Sequence, residues 1–255
     1  MKTVLITGAS SGIGAATAYV YARNGYNLIL TARRMNKLEE IKNDIISKHK
    51  VEINLFGVDL SLANGAEELY NLVDKSNLKV DVLINNAGFG TFDEFKNSDL
   101  KREEQMLNLN ILSLTKLTKL FVDQMLKIGG GNIINIASAA AFQSVPYLAT
   151  YSASKAYVLS FSEAISHELK KDNIFVTAVS PGATESEFAD TAGFESGDNF
   201  NNAPTSMDLA EFIFKSMKKK KFSPIHGLKN NLLTFSLRLS PRKINTAIAG
   251  SMMKK

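Results

Sequence analysis

Thr3-Val4-Leu5-Ile6-Thr7-Gly8-Ala9-Ser10-Ser11-Gly12-Ile13-Gly14 is the stretch that decides the fold of this chain of 255 residues. A short β-rich run, Thr3 to Ile6, breaks into glycines and serines, and an apolar helical pattern then continues to Asn24, where Gly25 supplies the stop. A strand, a glycine-rich turn and a helix N-terminus together make an anion site, because unpaired N–H groups and the helix dipole point at whatever sits there. Glycines let the backbone approach a pyrophosphate closely. The spacing is G-x-x-x-G-x-G rather than G-x-G-x-x-G. Gly8, Ser10, Ser11, Gly12, Ile13 and Gly14 therefore read either as a dinucleotide cradle or as a tight strand-to-helix turn.

Outward from this unit the pattern repeats. A second strand, Asn27 to Thr31, runs into Ala32-Arg33-Arg34. An NAD site places an acid about 20 residues beyond the fingerprint to bond the ribose 2′-hydroxyl, whereas arginine accommodates a 2′-phosphate. No acid follows until Glu39, so Arg33 and Arg34 predict NADP; the alternative is two solvated arginines opening a helix. After a helix around Lys37 to Lys48, the strand Val51 to Phe56 leads to Asp59-Leu60. There Asp59 could accept from an adenine amino group or help cap the next helix. A fourth strand, Val80 to Ile84, ends in Asn85-Asn86-Ala87-Gly88. Strand and helix alternating at this rhythm predict an α/β chain with a doubly wound parallel sheet, ligands lying at the carboxyl ends of the strands.

The second half carries the acid–base candidates. Residues 99–127 give a long helical pattern containing Asn108 and Asn110. The strand Asn132 to Ile136 ends at Ala137-Ser138, and Tyr151-Ser152-Ala153-Ser154-Lys155 begins a long amphipathic helix. Four residues apart on a helix, a phenol and an ammonium share one face. The ammonium favours the phenolate, which makes Tyr151 a candidate general acid/base. A further strand, Ile174 to Val179, runs into Ser180-Pro181-Gly182-Ala183-Thr184-Glu185-Ser186, and a last short strand is expected around Phe222 to Ile225.

Taken together, TGASSGIG at 7–14, NNAG at 85–88 and YSASK at 151–155 resemble the short-chain dehydrogenase/reductase family, over nearly the whole chain and more weakly beyond about residue 183. The resemblance implies a single-domain Rossmann-type sheet of about seven strands in the order 3-2-1-4-5-6-7, with helices on both faces. It also implies hydride transfer between NADP and a carbonyl or secondary alcohol. In that reading Tyr151 donates the proton and Ser138, thirteen residues before it, steadies the oxygen. Lys155 lowers the tyrosine pKa and grips the nicotinamide ribose. Asn110, which matches the family position better than Asn108, completes a proton relay through water. The Pro181-Gly182 turn positions the nicotinamide carboxamide, with Thr184 the first candidate for the hydroxyl and Ser186 the second. Asp59, Leu60, Asn86, Ala87, Gly88, Tyr151 and Lys155 complete the expected NADP(H) contacts.

Composition sets the frame. With 45% hydrophobic residues the chain can bury a substantial core as one domain, read as 1–226 with a lid over the substrate at about 183–205 and an apolar, basic helical extension at 227–255. There is no cysteine, and the four-residue apolar run at the start is too short for a signal peptide, so a cytoplasmic location is expected. His49, His167 and His226 show no metal-ligand spacing, so no metal is expected. Eleven of the 30 Lys/Arg and none of the 25 Asp/Glu lie from Phe212 to Lys255, which leaves 19 basic against 25 acidic residues before it, a net −6. Such a stretch could contact anionic lipid, nucleic acid or an acidic carrier protein, or be a solvated face. The expected partner is a small carbonyl or alcohol substrate, not nucleic acid, with weak membrane-surface contact through the tail left open and a homo-oligomer, dimer or tetramer, as the expected state. The substrate pocket is expected to draw on the lid, the tail, Ala139, Phe142, Tyr147 and Phe188. Two other functions stay open: an NADP(H) sensor without turnover, and a membrane-surface lipid-linked ketone reductase.

Overall fold

The opening run forms β1 (Thr3–Thr7), an interior strand of a six-stranded parallel sheet in the computed structural model, which describes residues 1–194 and 203–253. The other strands are β2 (Asn27–Ala32), β3 (Ile53–Gly57), β4 (Val82–Asn85), β5 (Gly131–Ile136) and β6 (Ile174–Val179), in the order β3-β2-β1-β4-β5-β6. Every pairing is parallel. Side chains alternate across a strand, so β1 sends Val4 and Ile6 to one face and Leu5 to the other. The first face packs on α1 (Gly12–Arg23), α2 (Met35–Lys48) and α8 (Ser206–Lys218), through residues such as Tyr21, Leu38 and Ile213. The second packs on α3 (Gly65–Lys75) and α5 (Leu114–Ile128), through Leu69, Val73, Leu117 and Phe121. A sheet covered on both sides explains why these strands read as continuous apolar runs. Each such side chain contributes about 1.5–3 kcal/mol on burial.

The chain winds from β1 outward through β2 to β3, then returns to the other side of β1 for β4, β5 and β6. That reversal leaves a crevice beyond the carboxyl ends of β1 and β4, where open α/β sheets bind ligands. The glycine turn closes one side of it and Asn85-Asn86-Ala87-Gly88 the other. Among the remaining helices, α4 (Leu100–Leu107) precedes Asn110 and α6 (Ala149–Leu169) carries Tyr151 and Lys155. A short α7 (Phe188–Ala192) follows the Pro181-Gly182 turn, and α9 (Leu228–Leu237) and α10 (Arg242–Met253) end the described chain.

Two expectations are corrected. The seventh strand at 222–225 is reduced to a single parallel bridge, Ser180 with Ile225. Ala178 N–H donates to Phe222 and Ser180 N–H to Pro224, while His226 returns a bond to Ser180. Pro224 has no N–H to return to Ala178, and so the ladder stops short of a strand. The long helix expected over 99–127 is interrupted by a π-helical turn, Asn108–Ser113, between α4 and α5. Of the expected lid, residues 195–202 lie outside the described residues.

Candidate active site

The glycine turn is built to let backbones touch. Gly8 and Gly12 adopt φ of +66° and +51°, which favour glycine, and a Cβ on Gly14 would sit 2.2 Å from the Gly8 carbonyl oxygen. The turn is tied across the crevice to the end of β4. Asn86 Nδ2 donates to the carbonyls of Thr7 (2.9 Å) and Gly8 (3.2 Å), and the Thr7 hydroxyl accepts from the N–H groups of Asn86 and Ala87 at 3.0 Å. Ser11, at the N-cap of α1, makes no side-chain capping bond among the described residues. The first N–H groups of that helix therefore face the crevice without a side-chain cap, an arrangement suited to an anion such as a pyrophosphate.

Arg34 leans over this turn. Its guanidinium donates to Ser11 Oγ at 2.9 Å and to Ser10 Oγ at 3.2 Å, and pairs with Glu187 at 2.7 Å. That pair and the Ser11 bond hold the Glu187 carboxyl below its ordinary range. Arg33 is more exposed and lies 4.0 Å from Asp59. Asp59 accepts from both the N–H and the hydroxyl of Ser61, at 2.9 and 2.6 Å, so it shapes its own turn; the N-cap of α3 is Asn64. Serine hydroxyls and a guanidinium converging at the end of β2 have the donor chemistry a 2′-phosphate requires.

At the other end of the crevice, Ser138, Tyr151 and Lys155 come together. Ser138 follows β5 and its Oγ accepts from Ala140 N–H at 3.1 Å, which leaves the hydroxyl proton for the Tyr151 oxygen. Lys155 is buried, donates to the Ile136 carbonyl at 2.8 Å, and has Nζ 5.8 Å from the Tyr151 ring centre. Burial pushes the Tyr151 hydroxyl up to about 12, with the Ser138 bond opposing it, and burial pulls the Lys155 ammonium down to about 8. Desolvation is the largest influence on Tyr151, and Lys155 directs one of its donors to the Ile136 carbonyl. Burial keeps the Tyr151 hydroxyl protonated at neutral pH. Asn110, within the π-turn, donates to the Phe89 carbonyl (3.0 Å) and Ser154 Oγ (3.1 Å) and accepts from Phe89 N–H. A Cβ on Gly88 would lie 2.9 Å from Asn110 Oδ1 and 3.4 Å from Lys155 Nζ, which places both side chains against the same backbone.

One continuous cleft of about 840 Å³ joins the two ends. It is lined by Ser138, Tyr151, Lys155 and every residue of the expected cofactor set except Gly14, which packs beneath the turn. Asn110 stands behind the wall. Pro181, Gly182, Thr184 and Ser186 form its upper lip. Thr184 bonds the Gly182 carbonyl and Ser186 the Thr184 carbonyl, so both hydroxyls remain candidates at this edge.

A family model for the short chain dehydrogenases matches residues 2–195, which take in the glycine turn, the Asn86 turn and all four catalytic candidates. The chain belongs to the short-chain dehydrogenase family. Among its relatives, the very-long-chain 3-oxoacyl-CoA reductase of Rattus norvegicus is 36% identical over 183 residues, 69% of this chain and 57% of that protein. The chain thus spans little more than half the length of that curated relative. A short-chain dehydrogenase from Sphingobium yanoikuyae, solved in complex with NADPH, superposes with a TM-score of 0.84 at 28% identity, covering 93% of this chain and 94% of that one. The bulky-bulky ketone specific alcohol dehydrogenase from Comamonas testosteroni gives 0.80 at 28%, covering 94% and 92%.

The walls of the cleft beside Tyr151 differ from those expected from the sequence. Ala139 and Phe188 line the cleft, whereas Phe142 and Tyr147 do not; Tyr147 instead packs against Phe92, with ring centres 6.0 Å apart. Residues the sequence did not single out are Arg102, which donates to the Thr191 carbonyl, Gln105, and Glu187. The inner faces of α9 and α10, through Leu233, Leu237, Ile248 and Met252, close the apolar side. The tail could be read as apolar, but which face turned inward depends on where Asn230 meets Gly182, an approach so close that a Cβ there would lie 2.3 Å from the amide.

Proposed function

We propose that the chain is an NADPH-dependent reductase of bulky, apolar ketones, with Tyr151 as the proton donor. The observation that carries the reading is the meeting of Ser138, Tyr151 and Lys155 at one end of a cleft whose other end is the uncapped helix turn beneath Arg34. A nicotinamide cofactor, when bound, would supply the hydride. Arg34, Arg33 and Ser10 would hold its 2′-phosphate, and the N–H groups of Gly12 and Ile13 its pyrophosphate. The relative solved with NADPH supports that choice of cofactor.

Tyr151 then passes its proton to the carbonyl oxygen as charge develops there. Ser138, whose oxygen is already held by Ala140 N–H, turns its proton toward the same oxygen. A donor aimed at a developing oxyanion in a dry site is worth about 3 kcal/mol. Lys155, fixed by the Ile136 carbonyl, offers its other donors to ribose hydroxyls, and its charge favours the phenolate left behind. Asn110, anchored on Phe89 and Ser154, organises the path by which Tyr151 regains a proton. Phe188, Leu233 and Leu237 suit an apolar body beside the carbonyl, in keeping with the ketone and acyl substrates named for the relatives. The test is NADPH consumption against a panel of carbonyl compounds graded by apolar bulk. Turnover that rises with bulk supports the reading; a preference for small polar aldehydes, or for NADH, defeats it.

A further inference from the structure

The last two helices are apolar on two faces. Along α9 and the turn just past its end, Leu228, Leu232, Phe235 and Leu239 recur at i, i+4, i+7 and i+11 and are 76%, 63%, 61% and 77% exposed, while Leu233 and Leu237 turn to the cleft. On α10, Ile244, Ile248 and Met252 recur every fourth residue, each more than half exposed. Helical spacing makes each set a stripe. A face of this size, uncovered by its own domain, marks an interaction surface.

Charge selects the occupant. Lys229, Arg238, Arg242 and Lys243 stand exposed on and between the same helices, from residue 212 to 253 there is no Asp or Glu, and none of the four forms an ion pair among the described residues. A second copy docking through a twofold axis would set four cations against four cations. An anionic lipid surface satisfies both features at once, accepting the apolar stripes and pairing the cations. No helix among the described residues is long and apolar enough to cross a membrane, so the contact is one that lies on the surface.

We propose that α9 and α10 dock this chain on a bilayer carrying anionic phospholipid, and that the apolar end of the cleft opens at the docked face. Ile248 and Met252 belong to both the outer stripe and the cleft wall, which is what joins the two surfaces. The docking rests on the surface alone; entry of an apolar ketone from the bilayer rests also on the function proposed above.

The test is co-sedimentation of the full chain with phosphatidylcholine vesicles, with and without phosphatidylserine. Binding is expected only with phosphatidylserine and should fall with added salt. Each basic residue at such a surface is worth about fivefold in partitioning, so Arg238→Ala with Arg242→Ala should weaken it about 25-fold. Leu232→Asp with Phe235→Asp should abolish it. None of these four residues lines the cleft, and unchanged NADPH affinity and melting temperature verify that the variants fold. No binding, equal binding to neutral vesicles, or a dimer broken by the aspartates while vesicle binding persists would overturn the proposal. Failure to oxidise NADPH with any ketone would defeat the proposed function and leave the docking result standing.

Discussion

Replacing Arg34 by alanine should convert a strong cofactor preference into a weak one. In the structure the guanidinium is held over the turn by Ser10 and Ser11, with its side chain about half exposed at 47%. A hydrogen bond to a charged group contributes about 1.5–3 kcal/mol when desolvated. Exposure and the standing pair with Glu187, which the phosphate must displace, reduce that to about 1–2 kcal/mol. The expected loss of NADPH affinity is therefore roughly 5- to 30-fold, since each 1.4 kcal/mol is tenfold. NADH has no 2′-phosphate, so its affinity should change by less than about twofold, reflecting only the bracing of the turn. Calorimetric titration of the variant with both cofactors, at fixed salt, reads the ratio directly. Arg34→Lys should recover part of the loss, because a point charge replaces a fork. If NADPH and NADH weaken by the same factor, Arg34 is a prop for the turn and the argument for the 2′-phosphate fails.

Gly14→Ala places a methyl 2.2 Å from the Gly8 carbonyl; overpacking of this kind costs about 1–3 kcal/mol, so calorimetry should find the melting temperature lowered by roughly 2–12 °C. Ser138→Ala removes one donor to the developing oxyanion, and kcat should fall about 100- to 1,000-fold with NADPH affinity kept. Lys155 has a folded pKa of about 8 against an ordinary 10.5, so between those values the unfolded chain binds more protons and this group's contribution to stability rises with pH. Tyr151 works the other way from 10.0 to about 12. Wild type should therefore gain stability relative to Lys155→Met as pH rises from 8 to 10 in denaturant titrations; parallel curves would show that Lys155 is not desolvated as described.

Much of this was legible in the sequence because two-sided burial writes itself into the strands. Val82 to Ile84 is apolar throughout, and Ile174 to Val179 is apolar but for the buried Thr177, since both faces of the sheet are covered. The glycine turn was legible because its backbone approaches admit no side chain. The π-turn was not, since it adds a residue to one helical turn and shifts the phase that a 3.6-residue period relies on; only the family resemblance favoured Asn110 over Asn108. The fate of the last strand hung on one missing N–H at Pro224. The Arg34–Glu187 pair joins side chains 153 residues apart, which no local pattern encodes. Nor does any local pattern encode the bond from Lys155 to the Ile136 carbonyl.

Single-turnover measurement with Tyr151→Phe addresses the central claim, that this buried phenol hands its proton to a carbonyl oxygen. With NADPH pre-bound and a bulky ketone in excess, the rate of NADPH oxidation should fall about 100- to 10,000-fold, the range general acid catalysis supplies, while NADPH affinity changes little. A variant that oxidises NADPH at the wild-type rate would contradict the account outright.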